Sequence, residues 1–213
     1  MFPPLTEGLL GFLAGTLEQT AWKDEYLCVN ATARGAVASA AGALKFSGAG
    51  AGAEWPVGKL GQNQPYYSAN NKFALAVTVT IHAVPEDDDT PLLGARMDGA
   101  ANTVLFGLSY TKDRKWKTKL DNAAAEEHAE AWAPVTAVQV ALQMDWDDWS
   151  LYVGRQRICG KKYSGALFNS NRISHFFFGM DGTHTAAGSP NVTVANVLLY
   201  AACWAWVICS DCN

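Results

Sequence analysis

Residues 73–82 read FALAVTVTIH, and this short stretch decides the fold class. Every second position carries a large apolar side chain, namely Phe73, Leu75, Val77, Val79 and Ile81. Because successive side chains of a strand point to opposite faces of a sheet, the spacing predicts one β-strand with these five residues in the core. We expect Trp55, which lies upstream, to join them.

Similar β-rich runs continue towards the C terminus. They cover residues 90–98, 103–111, 115–120, 137–145, 149–158, 173–180 and 192–200. Turn-forming stretches such as VPEDDDTP (84–91) separate them, which is typical of an antiparallel sandwich. Only LDNAAAEEHAEAW (120–132) has a helical composition, and its length is marginal for a helix. The sequence therefore predicts an all-β antiparallel sandwich.

Length and composition indicate a single core. The 213 residues are 49% hydrophobic, which suits one domain of this class. We expect residues 1–35 to lead into the domain, residues 36–200 to form the sandwich, and residues 201–213 to form an atypical apolar tail rich in Cys and Trp. The net charge of -4 argues against a nucleic-acid partner.

The two ends of the chain carry weak targeting signals. The start, MFPPLTEGLLGFLAGTL, has no positively charged region and a broken apolar run. The apolar stretch at 197–209 is shorter than the roughly 20 residues that span a bilayer. The sequence therefore predicts neither a clear signal peptide nor a clear membrane anchor.

Motifs for catalysis, cofactors and metals are not evident. The five cysteines form no recognisable disulfide framework, and CSDC (209–212) lacks a second pair of zinc ligands. The glycines of SGAGAGAEW (47–55) precede no helix that could hold a phosphate, so they indicate a bend of small residues. We expect no catalytic residue, no metal and no cofactor.

Several surface features leave two interpretations open. The acidic stretches at 86–89 and 145–148 suit calcium or ordinary solvated turns. Trp146 and Trp149 suit sugar stacking or packing within the domain. In KDRKWKTK (112–119) the three lysines at 115, 117 and 119 share one face, which suits polyanion binding or an exposed strand face.

Longer segments carry a family resemblance from about residue 5 to residue 200. They are LTEGLLGFLAG, WKDEYLCVNAT, AEWPVGKLGQNQPYYSANNKFALAVTVTIHAVP, TPLLGARMD, TVLFGLSYTKDRKWKT, VQVALQMD, ISHFFFG and VTVANVLLY. Together they resemble the C-terminal lectin-like domain of the trypanosomal trans-sialidase superfamily. The resemblance implies a concanavalin A-like or laminin G-like jelly roll. The family signature is matched at Val192, Thr193, Val194, Asn196, Val197, Leu199 and Tyr200.

Two departures from the family pattern stand out. Ala201 and Ala202 replace the Asn-Arg pair that ends the signature, and Gly154-Arg155 replaces an Asp-Gly turn. We expect the second change to loosen its hairpin. Relatives that are sialidases carry a separate propeller with an arginine triad and a nucleophile pair, and this chain shows neither motif.

The resemblance implies a non-catalytic adhesion or recognition domain of a cell-surface glycoprotein, with a host-cell surface protein or glycan as partner. The signature residues are then the binding candidates, although a Val- and Leu-rich strand is more typical of a buried position. The alternative is an accessory scaffold for a sialidase propeller that is missing from this chain. Asn30 and Asn191 begin N-glycosylation sequons.

Overall fold

The computed structural model describes residues 8–26, 29–57, 72–86, 89–98, 104–120, 123–162, 172–180, 182 and 188–201. Fourteen strands occur within these ranges. They are β1 (Leu9–Glu18), β2 (Ala21–Asp24), β3 (Ala31–Ala40), β4 (Ala43–Pro56), β5 (Lys72–Ile81), β6 (Thr90–Asp98), β7 (Val104–Tyr110), β8 (Lys115–Leu120), β9 (Glu126–Ala131), β10 (Ala137–Asp145), β11 (Asp148–Val153), β12 (Gln156–Lys162), β13 (Arg172–Phe178) and β14 (Asn191–Tyr200). No helix in the described ranges is long and apolar enough to cross a membrane.

The strands form one antiparallel sheet that folds back on itself into two layers. Hydrogen bonds connect them in the order β12-β11-β10-β5-β14-β1-β2-β3-β4-β13-β6-β7-β8-β9, and β14 also pairs with β4. One layer centres on β10, β5 and β14, and the other on β13, β6 and β7. The expected all-β sandwich is confirmed.

Aromatic side chains join the two layers. Phe73 of β5 meets Phe176 of β13 edge to face, with ring centroids 5.1 Å apart. Trp149 of β11 stacks on Phe106 of β7 at 6.1 Å. Such contacts add to the hydrophobic contribution of the buried area itself. Trp55 and the five alternating residues of β5 are at most 2% exposed, which confirms their predicted place in the core.

Strand β4 passes from one layer to the other through its glycine-rich middle. Residues 43–47 pair with β14, whereas residues 53–56 pair with β13. Between the two halves, Gly48 and Gly50 have φ values of 85° and 72°, a region that favours glycine. The small residues of SGAGAGAEW therefore lie within a strand and allow it to change partners.

The N-terminal strands belong to the same sheet. β1 pairs with β14 and β2, and the predicted division at residue 35 falls inside β3. Asp24, 4% exposed at the end of β2, holds the following turn in place. Its carboxylate accepts hydrogen bonds from the backbone N–H groups of Phe12, Tyr26 and Val29. Sequence inspection missed this carboxylate, although its place at the end of a short strand is a signal for such a turn.

The structure defines two stretches that the sequence pattern left open. The stretch with helical composition contains strand β9, which pairs with β8. The run at 149–158 is a hairpin, because Val153 pairs with Gln156 across Gly154-Arg155. Gly154 has a φ of 61°, which suits a two-residue turn with glycine in first position. Glycine thus supplies the turn geometry in another way than an Asp-Gly pair, and the expected loosening of the hairpin stays a prediction.

Candidate functional site

The signature strand β14 lies mostly inside the sandwich. Five of its seven signature residues are at most 2% exposed: Val192, Val194, Val197, Leu199 and Tyr200. Thr193 is half-buried, and Asn196 is exposed. Burial follows from position, since β14 pairs with β5 along one side and with β4 and then β1 along the other. Among the signature residues, only Asn196 and part of Thr193 thus reach the outside.

A β-bulge at Asn196 changes which residues share a face. Asn196 has a φ of 49°, and the register with β5 shifts between Ala195 and Leu198. An extra residue in one strand moves every later side chain to the opposite face.

By the alternation of a regular strand, the sequence predicts Val192, Val194, Asn196, Leu198 and Tyr200 on one face of β14. This prediction is wrong beyond the bulge. Val197 and Leu199 join the main core with Val192 and Val194. Leu198 and Tyr200 instead pack on the other side, against Leu9 and Ala74. Apolar contacts on both sides of the strand agree with the expected coverage of its C-terminal half.

Thr193 ties β14 to the end of β5. Its Oγ1 lies 2.7 Å from Nε2 of His82, and the backbone N–H of His82 donates to the carbonyl of Asn191 at 2.8 Å. Burial, with a smaller effect of the Lys45 charge, lowers the pKa of His82. Both effects favour the neutral imidazole. Thr193 is thus occupied in a contact within the domain.

The two tryptophans of the β10–β11 hairpin have different environments. Trp149 is 3% exposed and packs edge to face on Phe73, with ring centroids 5.7 Å apart. Trp146 lies at the hairpin tip with a φ of 57° and is 51% exposed. The structure therefore assigns Trp149 to the core and presents only the indole of Trp146 to solvent.

Ion pairs occupy the carboxylates that flank this tip. Asp145 lies 2.9 Å from Lys72, and Asp148 lies 3.7 Å from Lys162. In the other acidic stretch, Asp89 lies 2.6 Å from Lys117, whereas Asp87 and Asp88 lie outside the described residues. Across the part of the chain that the structure describes, no three His, Cys, Asp or Glu side chains gather closely enough to hold a metal.

The glycosylation candidates and the cysteines lie at separate places. Asn30 is half-buried, and its Oδ1 accepts a hydrogen bond from the backbone N–H of Asp24 at 3.0 Å. Asn191 is also half-buried and begins β14. Cys159 is a free, half-buried thiol in β12. The other cysteines and the tail from residue 202 lie outside the described residues.

The layered fold, its strand order and the exposed hairpin tip define a lectin-like sandwich domain of the concanavalin A type. The chain belongs to the family of trans-sialidase C-terminal domains, whose model matches residues 5–205. The family resemblance found in the sequence is thereby confirmed.

Individual relatives agree with this assignment. A sialidase of Trypanosoma cruzi is 36% identical over 179 residues, which are 82% of this chain and 15% of that protein. Sialidase 85-1.1 of the same organism is 31% identical over 92% of this chain and 27% of its own length. The solved structure of Trypanosoma rangeli sialidase with 2,3-difluorosialic acid superimposes with a TM-score of 0.82 at 37% identity. It covers 93% of this chain and 32% of that one.

A more distant structure shows the fold alone. The binding domain of botulinum neurotoxin DC, solved with rat synaptotagmin II, has a TM-score of 0.63 at 12% identity.

The chain spans only 15% and 27% of the curated sialidases described above. It therefore corresponds to the C-terminal domain of a sialidase and not to its catalytic propeller.

Proposed function

We propose that this chain is a non-catalytic recognition domain of a trans-sialidase-like surface glycoprotein. One observation carries the proposal: the indole of Trp146 is 51% exposed at the tip of a hairpin whose flanking carboxylates form ion pairs. An exposed indole offers a flat apolar face and a hydrogen-bond donor, a combination enriched at interfaces. The partner we propose is a glycan or a protein on a host-cell surface.

Within the signature strand, Asn196 is the residue that we propose for partner contact. Its side chain is exposed, whereas the buried signature residues on either side of it serve the core. We also propose a cell-surface location, with glycans on Nδ2 of Asn30 and of Asn191. Mass spectrometry after enzymatic deglycosylation of chain secreted from eukaryotic cells tests both sequons, and unmodified asparagines at both contradict this part.

The test of the recognition role is an array of glycans and extracellular-matrix proteins probed with the purified chain. We expect at least one specific ligand, whose signal falls when Trp146→Ala removes the indole. Tyr26→Ala is the matched control, since Tyr26 is 45% exposed on another connection, after β2. An array without a specific ligand contradicts the recognition role. A ligand signal that Trp146→Ala leaves unchanged contradicts the assignment of the hairpin tip.

A second candidate function is that of an accessory scaffold for a sialidase propeller. It is favoured by the relatives, which are sialidases of which this chain covers 15–32%. An accessory domain should raise the melting temperature of a separately expressed propeller when the two are mixed, because binding to a folded partner stabilises it. An unchanged melting temperature speaks against this function.

A further inference from the structure

Strands β6, β7 and β8 combine small residues and lysines on one face of the sheet. Gly107 lies directly opposite Lys119, and Ser109 lies opposite Lys117. Pro91 of β6 follows next to Ser109 in the same row. Directly opposed residues of antiparallel strands have Cβ positions about 5 Å apart, so the Ser109 and Lys117 side chains are immediate neighbours and Lys119 lies beside the bare backbone of Gly107. The basic run of the sequence is thereby placed beside a strand with small side chains.

These residues line a groove of about 220 Å³. Asp89, Lys117 and Lys119 contribute charges to its walls, and Ser109 contributes a hydroxyl. A Cβ atom added to Gly107 meets no atom of the described residues within 4 Å, so these residues leave the groove open above the backbone at this point. Its volume lies below the range of about 300–1,000 Å³ that is common for drug-sized ligands. The volume suits a small unit of about the size of one sugar ring.

The charges of the groove are not balanced. Nζ of Lys117 lies 2.6 Å from Oδ2 of Asp89, and Glu127 is its cross-strand neighbour on β9. Lys119 is exposed and forms no ion pair or hydrogen bond with the residues that the structure describes. The three charged lining residues therefore sum to one positive charge, which sits at Lys119, because Asp89 and Glu127 both lie beside Lys117. Such a local charge attracts an anionic group to the groove.

We infer that this groove is a binding site for an anionic saccharide. A carboxylate or sulfate lies against the ammonium of Lys119, and the ring lies over the open backbone of Gly107 beside the hydroxyl of Ser109. The Asp89–Lys117 pair contributes one acceptor and one donor for ring hydroxyls. This inference rests on the proposed recognition function, to which it adds a ligand class and a second contact surface besides Trp146.

Calorimetric titration of the purified chain tests the groove. The probes are 3′-sialyllactose for a carboxylate, a sulfated heparin tetrasaccharide for sulfate, and lactose as the neutral counterpart. We expect one of the anionic probes to bind, with an affinity that falls as salt rises, and lactose to bind more weakly. Which anionic probe binds distinguishes the carboxylate from the sulfate as the recognised group.

Two substitutions probe the groove in different ways. Gly107→Val fills the floor without strain, because the site has open space and valine favours strands. Lys119→Glu reverses the charge. We expect each to weaken binding by about tenfold or more, because filled space or a repelling charge excludes the ligand. Lys23→Glu is the control, since Lys23 lies in β2, which pairs with β1 and β3 and not with the strands of the groove or of the Trp146 hairpin.

Each other outcome overturns the inference. Equal binding of lactose and the anionic probes would show that the site does not recognise charge. Unchanged affinity in folded Gly107→Val and Lys119→Glu proteins would show that the ligand does not bind in the groove. If neither anionic probe binds while the array yields another ligand, the proposed saccharide site in the groove is wrong and the recognition function stands. If no ligand is found by either method, both are wrong.

Discussion

At the scale of single residues, the signature in β14 has a physical explanation within the domain. Its apolar members fill the core, and its asparagine occupies a backbone conformation that few residues adopt readily. Asn visits the left-handed region more easily than other non-glycine residues because its short side chain makes local hydrogen bonds. Asn196 thereby fixes the bulge that sets which side of β14 each later residue occupies.

Substitution of Asn196 tests this explanation. Asn196→Val should lower the free energy of unfolding by about 1–2 kcal/mol, because a β-branched residue disfavours positive φ. Asn196→Gly should keep the stability near that of the parent chain, since glycine tolerates this conformation. Urea unfolding followed by tryptophan fluorescence measures both. Equal stability of the two variants would show that the bulge does not depend on the backbone preference of residue 196.

Tyr110 gives the domain a specific response to high pH. It is 1% exposed, and burial raises its pKa from 10.0 to about 12 despite a hydrogen bond with the backbone of Asn191. In the unfolded chain the same phenol titrates near pH 10. The contribution of Tyr110 to stability is therefore complete below pH 10 and is lost as the pH rises towards 12.

We expect ionisation of the Tyr110 phenol to lower the free energy of unfolding by about 1 kcal/mol at about pH 11. Between neutral and high pH, the free energy of unfolding of Tyr110→Phe should fall by less than that of the parent chain. At neutral pH the variant should be the less stable of the two proteins. Urea titrations at both pH values give the comparison. Tyr200, whose pKa burial also raises, is present in both proteins and so cancels. Parallel losses in the two proteins would contradict the role of Tyr110.

At the scale of elements, β14 is the central strand of one layer. It pairs with β5, β4 and β1, and within the described residues its last pairs are those of Tyr200 with Ala74 and Leu9. Edge strands behave differently: β9 is exposed along most of its length, and its Glu126 lies 2.5 Å from Lys161 of β12. An exposed pair of this kind adds little stability, whereas the loss of a central strand removes ladders on both sides.

Truncation separates the central strand from the chain beyond it. Deletion of residues 192–213 should prevent folding, because it removes β14 and exposes the core residues of its three partners. Deletion of residues 201–213 should leave the thermal transition nearly unchanged and improve solubility, since the apolar sequence after Tyr200 favours aggregation. Circular dichroism melts and sedimentation measure the two effects. Unfolding by the short deletion would place the tail within the core.

At the scale of the whole molecule, the chain corresponds to one domain of larger sialidases. We expect the purified chain to release no sialic acid from a fluorogenic substrate, because hydrolysis requires a positioned nucleophile and acid together. Trypanosoma rangeli sialidase is the positive control in the same assay. Release of sialic acid above the buffer rate, from protein free of other sialidases, would overturn this expectation and with it the non-catalytic role.

The sequence by itself determined the fold class, the family and most strands after residue 72. Period-two patterns such as that of β5 reflect a local rule, the alternation of side chains across a sheet, and so they are readable without the fold. The buried face of β5 and the common face of the three lysines of β8 were predicted for this reason. Glycine runs and polar edge strands carry no such pattern, which is why β4 and β9 were not predicted.

Only the tertiary structure decided which residues of β14 face the core, which tryptophan of the hairpin is exposed, and where the lysines of β8 meet Gly107. Each depends on contacts between distant parts of the chain. The bulge at Asn196 forms where β4 gives way to β1 as the partner of β14, and that exchange joins residues far apart in sequence. The groove likewise needs the register of β6, β7 and β8, because a shift of one residue turns every side chain to the other face.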